Sequence, residues 1–126
     1  MRRVLIVEDD FEFADLLMEV LTHDNCIPET AANGMEALDR LRTGTSDAVI
    51  CDLMMPRLDG ESLFREVEHD FPYLADKFIF ITGQTSQTAG RTNFIYPTGN
   101  PLLTKPFDIE DFRRILRELF SRSTSL

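Results

Sequence analysis

Short apolar runs alternate with amphipathic stretches along almost the whole chain, and this alternation limits the possible folds more than any other feature. The first run, residues 4–7, is rich in β-branched side chains and is typical of a strand buried on both faces. Apolar residues then recur with a helical period between Phe13 and Leu21. Over the whole chain, the predicted order of elements is β-α-β-α-β-α-β, then an irregular segment, then β-α. This alternation predicts an α/β fold, a doubly wound parallel sheet of five strands with helices on both faces.

The limits of the remaining elements follow from turn and cap residues. The later strands are expected at the other apolar runs, residues 27–31, 48–51, 77–81 and 101–103. Pro28 places the first of these at a sheet edge, because proline cannot donate to the hydrogen-bond ladder. Helix N-caps are expected at the acids and amides that precede the amphipathic stretches, Asp10, Asn33, Asp59 and Asp108.

The irregular segment covers residues 84–100. It is rich in Thr, Gly and Asn, and Pro97 interrupts it. A helix over part of it, around residues 86–94, is only weakly supported by the apolar spacing, so the fourth helix region is expected to be atypical. A single domain is expected over residues 1–121, with a polar tail at residues 122–126.

Charge and composition exclude several classes of protein. The 126 residues carry a formal net charge of -9, and a nucleic-acid partner is disfavoured because phosphate contacts need a basic surface. No apolar run approaches the roughly 18 residues of a membrane span, and the run that ends at Glu8 is too short for a signal peptide. We therefore expect a cytoplasmic protein without membrane insertion. Cys26 and Cys51 lie far apart and are expected to be free thiols.

Chemically active side chains follow four of the five predicted strands. Glu8 and Asp9 end the first strand, Asp52 the third, Thr82 the fourth and Lys105 the fifth. In open α/β sheets, ligands bind beyond the carboxyl ends of the strands, so these side chains are expected to converge. Three close carboxylates repel one another unless a cation offsets their charge. Oxygen ligands suit Mg²⁺, or Mn²⁺ in its place.

Such a site is prepared for phosphoryl transfer. The reaction needs a nucleophilic carboxylate, a metal ion and a cation beside the phosphoryl oxygens. Asp52, the acidic pair with Mg²⁺, and Lys105 would supply these, and Thr82 could donate a hydrogen bond to a phosphoryl oxygen. Acids at strand ends are often only helix caps and turn residues, which is the preferred interpretation of Asp10, Asp59 and Asp108. Five reactive residues at four strand ends favour the functional interpretation.

Four segments at these positions carry a family resemblance. They read VLIVEDD at residues 4–10, DLMMPRLDG at 52–60, ITG at 81–83 and LTKPF at 103–107. The chain resembles the receiver domains of bacterial response regulators and hybrid sensor kinases over residues 3–120. The resemblance implies the flavodoxin-like, CheY-like receiver fold, with strand order 2-1-3-4-5.

The resemblance also implies a role for each matching residue. Asp52 would be the phosphoacceptor, Asp9 the direct Mg²⁺ ligand, and Glu8 a ligand acting largely through water. Met54 would offer its backbone carbonyl to the metal. Lys105 would pair with the phosphoryl group.

Further positions of the family concern the switch and its timing. Thr82 would be the switch hydroxyl, and the Lys105–Pro106 peptide bond would be cis. Gln84 and Met54 occupy positions that tune the lifetime of the acyl phosphate. Leu102 stands where the family commonly has an aromatic residue that completes the switch, so the aromatic half of that switch is missing.

The implied function is a phosphoacceptor signalling module. A histidine kinase or phosphotransfer protein would phosphorylate Asp52 and shift the domain between inactive and active conformations. The chain would not turn over an external substrate. Residues 93–101 look more like receivers fused to sensor kinases, so the chain could belong to a hybrid histidine kinase. For a homodimer, the resemblance implies the surface formed by the fourth helix region, the fifth strand and the last helix.

Three alternatives remain open. A constitutive interaction module would have a vestigial site. An aspartate-nucleophile phosphatase generally needs an acid two positions after its nucleophile, where this chain has Met54. An FMN carrier shares the fold class, but Glu8 and Asp9 would repel the FMN phosphate.

Overall fold

A computed structural model describes residues 1–55, 57–83 and 90–121. Within these ranges lie five strands and four α-helices, which alternate as far as the fourth strand. They are β1 (Arg2–Val7), α1 (Phe11–His23), β2 (Cys26–Ala31), α2 (Gly34–Thr43), β3 (Ala48–Asp52), α3 (Gly60–Asp70), β4 (Phe78–Gly83), β5 (Leu102–Lys105) and α4 (Ile109–Ser121). Two short 3-10 helices, Pro72–Leu74 and Tyr96–Thr98, precede β4 and β5.

The four strand pairs of the sheet are parallel, and the sheet order is β2-β1-β3-β4-β5. The predicted α/β fold and strand order are thereby confirmed. Pro28 lies in β2, an edge strand, as its missing N–H requires. The fifth strand is shifted from the prediction: it begins at Leu102 and extends through Lys105.

The side chains of the strands alternate between two apolar layers. Leu5 and Val49 face one layer, which α2 and α3 cover, while Val4 and Ile50 face the other, which α1 and α4 cover. Each of these four side chains is at most 1% exposed. The near-continuous apolar runs of the sequence are therefore explained by burial of the central strands on both faces.

Three of the four predicted N-caps bond through their side chains. Asp10 accepts from the backbone N–H of Glu12, Asn33 from that of Glu36, and Asp59 from that of Ser62, at 3.1, 2.9 and 2.9 Å. At the fourth, α4 begins directly after Asp108, whose backbone carbonyl accepts from Phe112. These caps start each helix immediately beyond the carboxyl end of a strand or its following loop.

The structure describes only part of the segment in which a helix around residues 86–94 was considered. Residues 84–89 lie outside the described residues, and residues 90–94 form turns and no α-helix. Packing explains this: Phe94 lies edge-on to Phe80 at 5.3 Å between ring centroids, and Ile95 is buried in the same layer. Asn100 then ties the segment to the sheet, because its side chain accepts from Phe78 N–H and donates to the Ala75 carbonyl.

None of the described helices combines the length and the apolar character that crossing a membrane requires.

A glycine at the start of α2 is expected to be essential for the packing of the loop after β3. A Cβ at Gly34 would lie 2.5 Å from the Leu58 carbonyl oxygen and 2.6 Å from Leu58 Cβ. Gly34→Ala should therefore lower the free energy of unfolding by about 1–3 kcal/mol, measured by urea denaturation. Gly83→Ala is the matched control, since its Cβ would meet nothing within 4 Å. Equal stability of the Gly34 variant and the parent would contradict this packing.

Candidate functional site

Three carboxylates meet at the carboxyl end of the two central strands. β1 and β3 are adjacent, with Val7 opposite Cys51, so Glu8 and Asp9 emerge beside Asp52. One carboxylate oxygen of each lies within 4.8 Å of the other two. Glu8 and Asp52 are buried, at 3% and 8% exposure, whereas Asp9 is exposed. The convergence expected from the strand ends is thus present in the structure.

The donor set fits a small divalent cation. Mg²⁺ binds oxygens at about 2.1 Å in octahedral geometry, which places neighbouring ligand oxygens about 3 Å apart and opposite ones about 4.2 Å apart. Carboxylate oxygens within 4.8 Å of one another therefore need only small side-chain movements to share one ion. All three donors are hard oxygens, which suits Mg²⁺ or Mn²⁺.

Lys105 supplies the positive charge of the site. It is the last residue of β5, and its side chain reaches across the end of β4. Its Nζ lies 2.9 Å from Glu8 Oε1 and 3.7 Å from Asp52 Oδ2. The ammonium group thus already contacts the residue predicted to accept the phosphoryl group.

Burial and the neighbouring charges shift the pKa values of the side chains at this site. Burial raises the pKa of Glu8, and a hydrogen bond with Asp52 adds to this, although Lys105 acts in the opposite direction. Partial loss of hydration beside its neighbours and a hydrogen bond with Glu8 also raise the pKa of the more exposed Asp9. Burial by itself would lower the pKa of Lys105, but the hydrogen bond and negative charge of Glu8 raise it overall. Glu8 and Asp9 therefore hold protons more tightly than isolated acids.

Asp52 is oriented by the backbone that follows it. Its Oδ1 accepts a hydrogen bond from the Met54 N–H at 3.0 Å, while Oδ2 is the oxygen nearer Lys105. The start of α3 is held close beneath this loop, since Gly60 N–H donates to the Leu53 carbonyl at 3.2 Å. One carboxylate oxygen of Asp52 is therefore anchored, and the other faces the cation.

The remaining predicted residues lie at different distances from this centre. Thr82 is 5% exposed and follows Ile81, the residue that pairs with Asp52 in the sheet. The Thr82 hydroxyl donates to the Gly83 carbonyl at 3.3 Å. The Lys105–Pro106 peptide bond is cis. Leu102, opposite Phe80 at the start of β5, is 37% exposed. Gln84 lies outside the described residues.

One residue at the site was not singled out from the sequence. The ring centroid of Phe13 in α1 lies 4.2 Å from Lys105 Nζ, close enough for a cation–π contact. The helical period assigned Phe13 only to an apolar helix face. Its place in the first turn of a helix that follows an acidic strand end was the available signal.

Comparison with known proteins gives a consistent assignment. Residues 4–117 match the family described as response regulator receiver domain. The chain is 33% identical over 125 residues to response regulator MprA of Mycolicibacterium vanbaalenii, covering 97% of this chain and 52% of that protein. It is 30% identical over 122 residues to response regulator ArlR of Staphylococcus aureus, covering 97% and 54%. The chain thus spans about half the length of these curated relatives.

Solved structures show the same similarity in three dimensions. Response regulator TrrA from Thermotoga maritima, whose crystal structure is a complex with Mg(2+)-BeF, aligns with a TM-score of 0.80 and 28% identity over 94% of this chain and 99% of that one. The signal receiver domain of a signal transduction histidine kinase from Syntrophus aciditrophicus aligns with a TM-score of 0.85 and 26% identity over 100% and 95%. Family match, sequence relatives and fold agree, and the chain belongs to the response regulator receiver domain family of two-component systems.

Proposed function

We propose that this receiver domain accepts a phosphoryl group on Asp52 in a Mg²⁺-dependent reaction. Receiver domains work with histidine kinases in two-component systems and are generally not enzymes that turn over an external substrate. The observation that carries the proposal is the surrounding of Asp52: one oxygen is anchored by Met54 N–H, and the other faces Lys105 beside two more carboxylates. The donor is a phosphohistidine of a kinase or phosphotransfer protein.

The residues have complementary tasks in this reaction. An Asp52 carboxylate oxygen forms a bond to phosphorus, the phosphorus–nitrogen bond of the phosphohistidine breaks, and its electron pair stays on the imidazole. Glu8, Asp9 and Asp52, with the Met54 carbonyl, would hold Mg²⁺, which neutralises charge on the transferred group. Lys105 binds a phosphoryl oxygen and thereby stabilises the negative charge.

Hydrolysis of the acyl phosphate and the readout of phosphorylation follow from the same arrangement. In hydrolysis, a water oxygen attacks phosphorus, the bond to the Asp52 oxygen breaks, and inorganic phosphate leaves. Thr82 would turn its hydroxyl from the Gly83 carbonyl towards a phosphoryl oxygen and so couple the charge to the end of β4. Gln84 and Met54 would tune the lifetime of the acyl phosphate, and with Leu102 at its position the aromatic part of the readout would be missing.

The proposal also concerns the longer protein to which this receiver domain would belong. The curated relatives are about twice as long as this chain, and one structural relative is the receiver of a histidine kinase. Either a longer response regulator or a hybrid kinase would place the same phosphoacceptor chemistry in a different context. A homodimer through β5, the segment before it and the last helix, α4, would be compatible with both contexts.

Labelling by a small phosphodonor tests the phosphoacceptor directly. Acetyl phosphate with Mg²⁺ should add one phosphoryl group to the chain, and chelation with EDTA should abolish the addition, because metal and carboxylate act together. Asp52→Asn removes the nucleophile and should reduce labelling at least 100-fold, measured by intact-mass spectrometry and phosphate-affinity gels. The matched control is Asp47→Asn, at the opposite end of the sheet, which should label like the parent.

The labelling of the Asp52 variant and two further measurements on the parent chain distinguish the alternatives. Undiminished labelling of Asp52→Asn would overturn the assignment of the phosphoacceptor. Steady turnover of a phosphate ester by the parent would identify a phosphatase. Absence of any response to Mg²⁺ and beryllofluoride would identify a constitutive interaction module.

Metal binding should relieve the repulsion among the carboxylates. At a Mg²⁺ concentration ten times its Kd, the free energy of unfolding should rise by about 1.4 kcal/mol if the unfolded chain binds no metal. Asp9→Asn should remove most of this gain, and without metal it should be at least as stable as the parent because one repelling charge is lost. Thermal unfolding with and without Mg²⁺ measures both effects, and an unchanged Mg²⁺ response in Asp9→Asn would contradict the ligand set.

The same repulsion predicts a pH dependence without metal. The pKa values of Glu8 and Asp9 are raised in the folded chain, so their contribution to stability is fully present below their unfolded pKa values and is lost as pH rises through the folded ones. As the pH rises from about 4 through the folded pKa values, the stability of the parent relative to Asp9→Asn should therefore fall. Urea denaturation in EDTA at a series of pH values gives this difference, and a difference that rises with pH would contradict the prediction.

A further inference from the structure

We propose that Phe13 is a positioning residue for phosphoryl transfer, because its ring holds the ammonium group of Lys105 within reach of Asp52. The inference rests on the proposed function and concerns a residue outside the set of carboxylates, lysine and threonine. The structural basis is the face of the Phe13 ring, whose centroid lies 4.2 Å from Lys105 Nζ.

The contacts of Lys105 differ in how well they can persist during the reaction. Nζ is 2.9 Å from Glu8 Oε1 but 3.7 Å from Asp52 Oδ2, so its strongest contact is with a neighbour of the phosphoacceptor. To bind a phosphoryl oxygen on Asp52, the ammonium has to redirect N–H donors from Glu8 to the new group. The attraction of a ring face is less directional than a hydrogen bond and can continue while those donors turn.

The ring itself is held in place from two sides. Phe13 N–H donates to the side chain of Asp10, the N-cap of α1, at 3.3 Å. The ring meets Phe107 edge-on, with centroids 5.8 Å apart and planes at 84°, and Phe107 packs in turn against the buried Phe112. A ring with a fixed backbone and a fixed edge can restrict where the flexible lysine side chain goes.

Phe13 also joins the two strands that supply the opposite charges. It lies in α1, directly after the acidic end of β1. It contacts the last residue of β5, the edge strand that β3 and β4 separate from β1. The side chain of Lys105 remains 29% exposed, so without the ring it would have open directions to leave the site. The ring therefore lowers the entropy that Lys105 loses when it binds the phosphoryl group.

The sharpest test changes the ring's electrostatics at nearly constant shape. Phe13 is replaced in the full chain by 4-fluoro-, 3,5-difluoro- and pentafluorophenylalanine, which progressively weaken the negative ring face. The maximal rate of Mg²⁺-dependent labelling of Asp52 by acetyl phosphate should fall in that order, by about two- to fivefold over the series. Phe13→Tyr, which keeps the ring face, should retain the parent rate, and Phe13→Leu should resemble the most fluorinated variant.

A second variant separates positioning from general packing. In a Lys105→Met background, the fluorinated series should leave the residual labelling rate unchanged, because the ring has no cation to hold. Phe120→Leu is the matched control: its ring contacts the Arg2 guanidinium at 4.3 Å at the opposite end of the sheet, so its loss should not change the labelling rate. Urea denaturation of Phe13→Leu, Lys105→Met and the double variant adds a readout without phosphodonor or metal, and the two effects should be non-additive.

Each outcome decides between the inference and the proposed function. A parent chain that takes up no phosphoryl group on Asp52 would overturn the proposed function, and the positioning role with it. A parent that is labelled, with a flat rate across the fluorinated series, would overturn only the role of Phe13. Equal losses across that series in the parent and in the Lys105→Met background would show that the ring acts through packing alone.

Discussion

Repulsion among the three carboxylates at the carboxyl end of the sheet is the constraint on which the rest of the site depends. Parallel strands bring Glu8, Asp9 and Asp52 together whether or not their charges are compensated. Burial of two of them makes this arrangement costly, because the low dielectric strengthens repulsion and removes hydration. Three carboxylates and the ammonium of Lys105 leave two negative charges, which one divalent cation would neutralise.

The position of Lys105 determines how far that repulsion is balanced before any ligand binds. Its ammonium is hydrogen-bonded to Glu8, the most buried acid of the three, and is farther from Asp52. This pairing stabilises the resting fold and at the same time leaves one oxygen of Asp52 without a hydrogen bond from the ammonium. An electrophile can therefore approach Asp52 while the cation needed to stabilise its charge is already adjacent.

Much of this organisation could be predicted from the sequence because it depends on order along the chain. Apolar runs and caps predicted the strands and helices, and the rule that strand ends converge predicted the acidic cluster and Lys105. The conformation of the segment before β5 was harder to predict. Phe94 and Ile95 have poor helical spacing, yet they pack into the core through contacts with distant residues. Phe13 was missed for the same reason: its contact with Lys105 depends on how α1 crosses the sheet, which periodicity does not determine.

Two cation–π contacts at opposite ends of the sheet show why location decides what such a contact does. Arg2 lies over the Phe120 ring at the amino end of the sheet, 4.3 Å from the ring centroid and far from the three carboxylates. Lys105 has two oxygen partners within 4 Å and must change its preference between them when a phosphoryl group arrives. A ring face can keep its contact with the ammonium while the N–H donors turn from one oxygen to another, so in the proposed role Phe13 restricts the Lys105 side chain without opposing the change. This property distinguishes Phe13 from the carboxylates around it, each of which would favour one arrangement over the other.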